Sequence, residues 1–287
     1  MPQQPAEKSV RKSGRAQTEE SGKIRAGIGG WTFAPWRGVF YPDKLAHANE
    51  LNYASRQLST IEINGTYYRT QKPATFASWA KETPDDFVFT VKAPRFATNR
   101  RVLAETGDSI TRFFDSGVTE LGGKLGPLLW QVAPTKKFVP SDFEAFLELL
   151  PAKYDGRKLS HAIEVRHSSF CTPSFIALAR QKSVAVVFAD HATYPAIADV
   201  TGDFVYARLQ TGNDAVPTAY KPKALEQWAT RAKIWAAGGV PNDLNVVDRE
   251  HEPQRHPRDV FVFFIHEGKV RAPNAAMAFT KLIGQAR

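Results

Sequence analysis

The sequence predicts an α/β fold, a (β/α)8 TIM-like barrel forming a single domain behind a disordered polar amino-terminal tail. Three observations carry that prediction. From residue 24 onward, eight short apolar runs recur, each followed by a polar turn and a stretch of helical period. Most of the runs lack two-residue alternation, as strands do when helices bury both of their faces. The 287 residues also suit one closed barrel of roughly 250 residues better than two open sheets.

The tail is assigned to residues 1–23 and the barrel to 24–287. Lys8, Arg11, Lys12, Arg15 and Lys23 stand in the tail against Glu7, Glu19 and Glu20. It holds too little apolar surface to offset the entropy of ordering, and its interrupted charge fits a solvated leader better than a nucleic-acid arm. The strand candidates are 24–30, 60–64, 87–93, 128–132, 161–166, 184–190, 204–210 and 259–265. Helices are expected near 46–57, 74–82, 108–120, 141–150, 173–182, 222–237 and 273–284. In the sixth of these, Pro222 suits a first helical position, Leu225, Trp228, Ala232 and Trp235 share a face, and Gly238-Gly239 supplies the stop. Only the link 191–202 is too short for a full helix. The stretch 241–258, flanked by His251 and His256, reads as an exposed insertion on the amino face of the barrel. An open doubly wound sheet is the alternative, but its nucleotide fingerprints are missing. Gly27, Gly29 and Gly30 lack a third glycine at the right offset. Gly122-Gly123-Lys124 is followed by Leu125 where a Ser or Thr should hold magnesium.

Composition excludes several classes. With 43% hydrophobic and 23% charged residues, the chain is neither collagen-like, mucin-like nor wholly disordered. The single Cys171 excludes an internal disulfide framework and a Cys-based zinc cluster. The longest apolar runs, such as 260–265, fall far short of the ~20 residues that cross a bilayer, and the first twenty residues carry no apolar signal core. The expectation is a cytoplasmic protein with no membrane partner. The net charge of +9 favours anionic partners without choosing among them. Oligomeric state is not legible.

In a barrel of this kind the reacting groups gather at the carboxyl ends of the strands. Those ends are polar here: Glu62 and Asn64, followed by Tyr67, Tyr68 and Arg69; Lys92 and Arg95; Gln131; Glu164, Arg166 and His167; Asp190 and His191; Arg208 and Gln210; His266 and Glu267. Positions two apart share a strand face, so Glu62 with Asn64, and Glu164 with Arg166, can enter one lumen. A charge there costs several kcal/mol unless it is paired or solvated. Internal ion pairs, Glu62 with Lys92 or Glu164 with Arg208, are the structural alternative for any one residue. Six or more charges at one end exceed what closure of the ring requires.

Lys92, Arg95, Arg166 and Arg208, with Arg100 and Arg101 beyond, point to a positive mouth suited to phosphate or carboxylate. Trp31, Phe33, Trp36, Tyr67 and Tyr68 add flat apolar area suited to a base, a sugar ring or an aromatic acid. Glu62 and Glu164 are the first candidates for general acid and base, and His167 the next. Glu62, Glu164, His167, Asp190, His191 and His266 include oxygen and nitrogen types that zinc or manganese uses. The neighbouring cations and the lack of tight His spacing make a divalent metal the minor alternative, so no metal ligand or cofactor is assigned.

Six segments, in order, resemble a known family: 27–42 (GIGGWTFAPWRGVFYP), 61–69 (IEINGTYYR), 89–95 (FTVKAPR), 125–134 (LGPLLWQVAP), 162–170 (AIEVRHSSF) and 204–209 (FVYARL). They resemble the domain-of-unknown-function 72 family, the YecE-like proteins, over roughly residues 24–284. The resemblance implies a TIM-like barrel and a mouth site rather than a reaction, because the family has no settled activity. Carried over position by position, the family's polar cluster falls on Glu62, Asn64, Tyr67, Lys92, Arg95, Gln131, Glu164, Arg166, His167 and Arg208. The family's barrel is similar in outline to divalent-metal sugar isomerases and to endonuclease IV-type apurinic endonucleases. This chain departs from the family pattern in three places. It has Phe264-Ile265-His266-Glu267 where relatives read aromatic-Asn-Asn-Asp, Thr98-Asn99 for Thr-His, and Trp31-Thr32-Phe33 for Trp-Ser-Tyr.

The expected function is an enzyme binding a phosphate-bearing or other anionic small molecule at the mouth, with ester or phosphoester hydrolysis as the first reaction to test. Glu62, Glu164 and His167 are the catalytic candidates. Trp31, Asn64, Tyr67, Lys92, Arg95, Gln131, Arg166, Asp190, Arg208 and His266 are the ligand-binding ones. The alternatives are a nucleic-acid-binding or endonuclease barrel and a non-catalytic ligand sensor or scaffold.

Overall fold

The computed structural model describes residues 21–284. Most of the expected tail therefore lies outside the described residues. Its last part is already attached: the Gly22 amide donates to the Ala236 carbonyl, and Lys23 to Asp259.

Nine parallel strands form one sheet: β1 (Ile24–Gly29), β2 (Thr60–Ile63), β3 (Val88–Lys92), β4 (Leu125–Gln131), β5 (His161–Glu164), β6 (Ala185–Val186), β7 (Phe188–Asp190), β8 (Phe204–Thr211) and β9 (Asp259–Glu267). Their order is β6-β5-β4-β3-β2-β1-β9-β8-β7. The expected run 184–190 supplies both ends of that order, because it is interrupted at Val187. Its first half pairs with β5 and its second with β8, while the Val187 amide itself donates to Ile163 at 2.9 Å. Eight runs thus become nine strands, and the ring closes through a single segment.

Side chains alternate between the two faces of this ring. Ile28, Ile61, Phe89, Val91, Ile163, Leu209 and Phe264 pack outward under the helices. Leu129, Ala162, Ala185, Val187, Phe204, Tyr206, Phe261, Phe263 and Ile265 fill the lumen. The helices cover the outside: α1 (Glu50–Gln57), α2 (Gly65–Tyr68), α3 (Pro73–Glu82), α4 (Arg95–Thr98), α5 (Gly107–Asp115), α6 (Pro140–Glu148), α7 (Pro173–Gln181), α8 (Pro222–Ala236) and α9 (Ala272–Leu282). Proline opens α3, α6, α7 and α8, where its missing amide hydrogen costs no helical bond. The two four-residue helices α2 and α4 were not anticipated. They follow β2 and β3 directly and deliver Tyr67 and Arg95 to the rim.

The link 191–202 carries no helix, as its length predicts. The stretch 241–258 has no regular element, but it is not simply exposed. Asp248 is buried, pairs with Arg180, and its amide donates to Asp199, which also accepts from Val247. That correction has a physical cause: the insertion is held by the buried Asp248 charge together with Leu244, Val246 and Val247, which pack against the core. Among the described residues no helix is long and apolar enough to cross a membrane.

Gly27 marks the closest approach in the ring. A Cβ there would lie 2.0 Å from the Thr60 carbonyl oxygen, which is backbone and cannot swing aside. Gly27→Ala is expected to cost at least about 1–3 kcal/mol, as overpacking does, read as a lower urea midpoint of unfolding.

Candidate functional site

The uppermost lumen layer is built by alternation from Glu62 on β2, Lys92 on β3, Gln131 on β4, Glu164 on β5 and Arg208 on β8. All five are buried, and both glutamates are wholly inaccessible. Arg208 reaches across the lumen and bridges them. Its Nη2 donates to Glu62 Oε1 at 3.0 Å, and its Nη1 donates to Glu164 Oε2. The remaining carboxylate oxygens are also engaged. Tyr206 donates its hydroxyl proton to Glu62 Oε2 at 2.7 Å, so Thr90, 2.9 Å from that hydroxyl, is the donor to Tyr206. Glu164 accepts from Arg166 Nε at 2.9 Å through Oε1 and from Gln131 Nε2 at 2.8 Å through Oε2.

Electrostatics follow from this geometry. Burial alone would raise the Glu164 carboxyl, but Arg208, then Arg166 and the Gln131 hydrogen bond, outweigh it and hold the group down at about 2. Burial and the adjacent Glu62 charge push the Tyr206 phenol well above its ordinary value, which keeps it a donor. Lys92 differs from the rest. Among the described residues its ammonium makes neither a hydrogen bond nor an ion pair; it stands 4.1 Å from the centre of the Tyr67 ring. Burial first, then the Arg208 charge, push it down to about 8, with Glu62 and Glu164 pulling the other way. Its backbone is pinned, since Thr66 donates to the Lys92 carbonyl at 2.7 Å.

At the rim, the Arg166 guanidinium lies 4.5 Å over the Tyr194 ring. Tyr194 in turn stacks on His191 at 4.0 Å, and His191 meets His266 edge-on at 5.5 Å. Burial and the nearby His266 and Arg166 lower the His191 imidazole. His266 is exposed, has a left-handed backbone (φ 68°) and pairs with Glu267 at 3.1 Å.

The structure therefore gathers Glu62, Lys92, Gln131, Glu164, Arg166 and Arg208, with Tyr67 beside them. Asn64 stands at the edge of the group, its amide nitrogen 2.7 Å from the place a Cβ on Gly29 would occupy. Other expected site residues are committed elsewhere. Trp31 packs edge-on against Trp79 at 5.0 Å and near Phe89, on the helix side. His167 Nδ1 accepts the Ser169 amide and closes the following turn. Asp190 accepts from Thr211 rather than from a cation of the mouth. Arg95 is exposed and lies 5.9 Å from the Tyr68 ring. Of the two suggested internal pairs, Glu164 with Arg208 exists, whereas Glu62 pairs with Arg208 and not with Lys92.

Tyr206, Thr90 and Tyr194 were not singled out from the sequence. Tyr206 carried a signal, because it lies two residues before Arg208 on the same strand face. Gln210 is buried, and among the described residues neither its amide nitrogen nor Arg208 Nε has a hydrogen-bond partner. The metal alternative needs Glu62 and Glu164, whose oxygens are already spent. Among the described residues no three His, Cys, Asp or Glu cluster in a way that could hold an ion. A hollow of about 750 Å³ opens at the opposite, amino end, lined by Arg25, His161, Lys182, Phe204 and Phe261 among others; none of the mouth residues borders it.

Two outcomes test this network. Arg208→Met leaves two buried carboxylates without their counter-charge, an expected loss of about 3–5 kcal/mol in urea unfolding. Glu164 sits at about 2 in the fold, below the ordinary glutamate value of about 4.3 in an unfolded chain. Its stabilisation is therefore complete above the unfolded value and is lost as pH falls toward about 2. The acid limb of stability against pH should be flatter in Glu164→Gln.

Comparison with known proteins agrees with this architecture. The chain is 27% identical over 157 residues to the UPF0759 protein YunF of Bacillus subtilis (strain 168), a match covering 53% of this chain and 54% of that one; the chain spans about half the length of that curated relative. Two crystal structures of DUF72 family proteins share the fold at a TM-score of 0.68. The one from Enterococcus faecalis V583 is 17% identical and covers 93% of this chain and all of its own. The one from Thermotoga maritima MSB8 is 22% identical and covers 92% of this chain and all of its own. The family model described as "Protein of unknown function DUF72" matches residues 25–287, nearly the whole barrel, and the chain belongs to that family.

Proposed function

We propose that the mouth of this barrel binds a small molecule carrying a phosphate or carboxylate, and that the protein is an enzyme acting on it. One observation carries the reading. Lys92 is a buried cation whose ammonium has no hydrogen bond or ion pair among the described residues. Among the described residues the carboxylates that pair with Arg166 and Arg208 are Glu62 and Glu164, so with Lys92 the cluster sets three cations against two carboxylates. An anion entering from the mouth supplies the missing partner, and the low-dielectric walls strengthen that attraction.

Within this reading the roles expected of the two glutamates change. Both are fully engaged, and Glu164 is held ionised, so they serve as anchors that fix Arg208 and Arg166. Lys92, at about 8, is the group suited to give or take a proton near neutrality. Negative charge developing on a bound ester or phosphoester would be stabilised by Lys92 and Arg166; hydrolysis of such a bond remains the first reaction to assay, with Lys92 in place of a glutamate as proton carrier.

A second reading rests on Tyr68, which is 68% exposed with Arg95 at its ring, a pairing that also suits a stacked base. Oligonucleotide binding of that kind would fall steeply with salt.

Inorganic phosphate or a short carboxylate should raise the unfolding temperature by mass action. Affinity should weaken as pH rises through about 8, where Lys92 loses its charge. Lys92→Met should cost at least about tenfold in affinity, or about 1.4 kcal/mol, by titration calorimetry. Absence of any shift with phosphates and carboxylates alike would overturn the reading.

A further inference from the structure

We infer that Lys92 is an amine nucleophile, and that the anion taken by the mouth also carries an aldehyde or ketone, which Nζ captures as an imine. The inference rests on the anion reading of the same site and narrows its ligand to oxo acids and phosphorylated carbonyl compounds.

The geometry points this way because, among the described residues, the Lys92 nitrogen has no hydrogen bond or ion pair, and only the Tyr67 ring lies against it. A lysine meant only to neutralise a glutamate would be bound to one, yet Glu62 and Glu164 are held by Arg208, Arg166, Tyr206 and Gln131. The groups facing Lys92 are Glu62 from β2, Tyr67 from α2, Glu164 and Arg166 from β5 and its end, and Arg208 from β8. Tyr67 covers one side of the ammonium at 4.1 Å, so the proposed carbonyl would approach from the other. The Lys92 backbone is held by the β3 ladder and by Thr66, so the amine is presented from a rigid strand. Arg166, 17% exposed in its side chain, is placed to receive the carboxylate or phosphate of the same molecule.

The step balances without any further reactant. The ammonium first releases a proton, and the neutral amine adds to the carbonyl carbon. The former carbonyl oxygen then leaves as one water, taking one proton from nitrogen and regaining the one released. The protonated imine keeps the single positive charge. Burial and the two guanidiniums, which push Lys92 down to about 8, favour the neutral amine that begins the sequence.

Reductive trapping tests this on the full-length protein. Glyoxylate with cyanoborohydride converts a lysine imine into carboxymethyl-lysine, located by peptide mass spectrometry. At pH 8 Lys92 should be modified at least about tenfold faster than any other lysine, because an ordinary lysine near 10.4 is almost wholly protonated there. The rate should fall by about tenfold per pH unit well below about 8. Excess inorganic phosphate should slow it, and propanal, which has no anionic group, should show no such preference for Lys92. Lys92→Arg should lose that one adduct and retain the others. Modification of Lys92 no faster than the remaining lysines would overturn the inference, and if phosphate still binds in calorimetry the anion reading survives that failure. Equal preference for Lys92 with propanal and glyoxylate would instead uphold the nucleophile and overturn the anionic part of the ligand.

Discussion

The mouth depends on one guanidinium held between two carboxylates that never meet water. Arg208 stands on β8, Glu62 on β2 and Glu164 on β5, so the three are spread around the ring and meet only across its centre. Removing any one of them leaves a charge in a medium that solvates it poorly. Buried ion networks are weak evidence for stability, since apolar side chains of the same volume often do as well. This network makes better sense as a frame. It fixes Arg166 through Glu164, consumes the acceptors that Lys92 would otherwise take, and leaves that ammonium, among the described residues, against the Tyr67 ring with no hydrogen bond or ion pair.

The same geometry explains why the layer beneath is aromatic. Tyr206 is the hinge between polar top and apolar middle: its ring lies 5.0 Å from Phe263, and its hydroxyl serves Glu62. A phenylalanine there would fill the space and leave one Glu62 oxygen unsatisfied, at a cost of about 1–3 kcal/mol. Thr90 completes the chain from the neighbouring side. The polar cluster is thus continuous with the core.

Much of this fold can be read from the chain itself, because strands buried by helices outside and by lumen packing inside must be apolar on both faces, and because proline announces helix starts. The two short helices α2 and α4 were missed for a physical reason: four residues are too few to show a period. The interruption at Val187 was invisible since the residues on both sides are equally apolar. The members of the site were legible one by one, from charged residues ending strands that are otherwise Ile, Val and Leu. Their partnerships were not. Glu62 and Arg208 lie 146 residues apart, and no spacing along the chain says that Arg208 rather than Lys92 would reach Glu62. Trp31 and Asp190 had the right position and the wrong direction, which only the packing around them decides.

The span from β8 to β2 and β5 has one more consequence. With Glu62, Glu164, Tyr206, Leu129 and Phe263 all inaccessible, the centre of the barrel is plugged, and the cavity at its amino end shares no passage with the carboxyl end. Arg208, buried between the two glutamates, closes the lumen on the carboxyl side. A ligand of the proposed kind would therefore have to enter and leave on the carboxyl side, past the same loops in both directions.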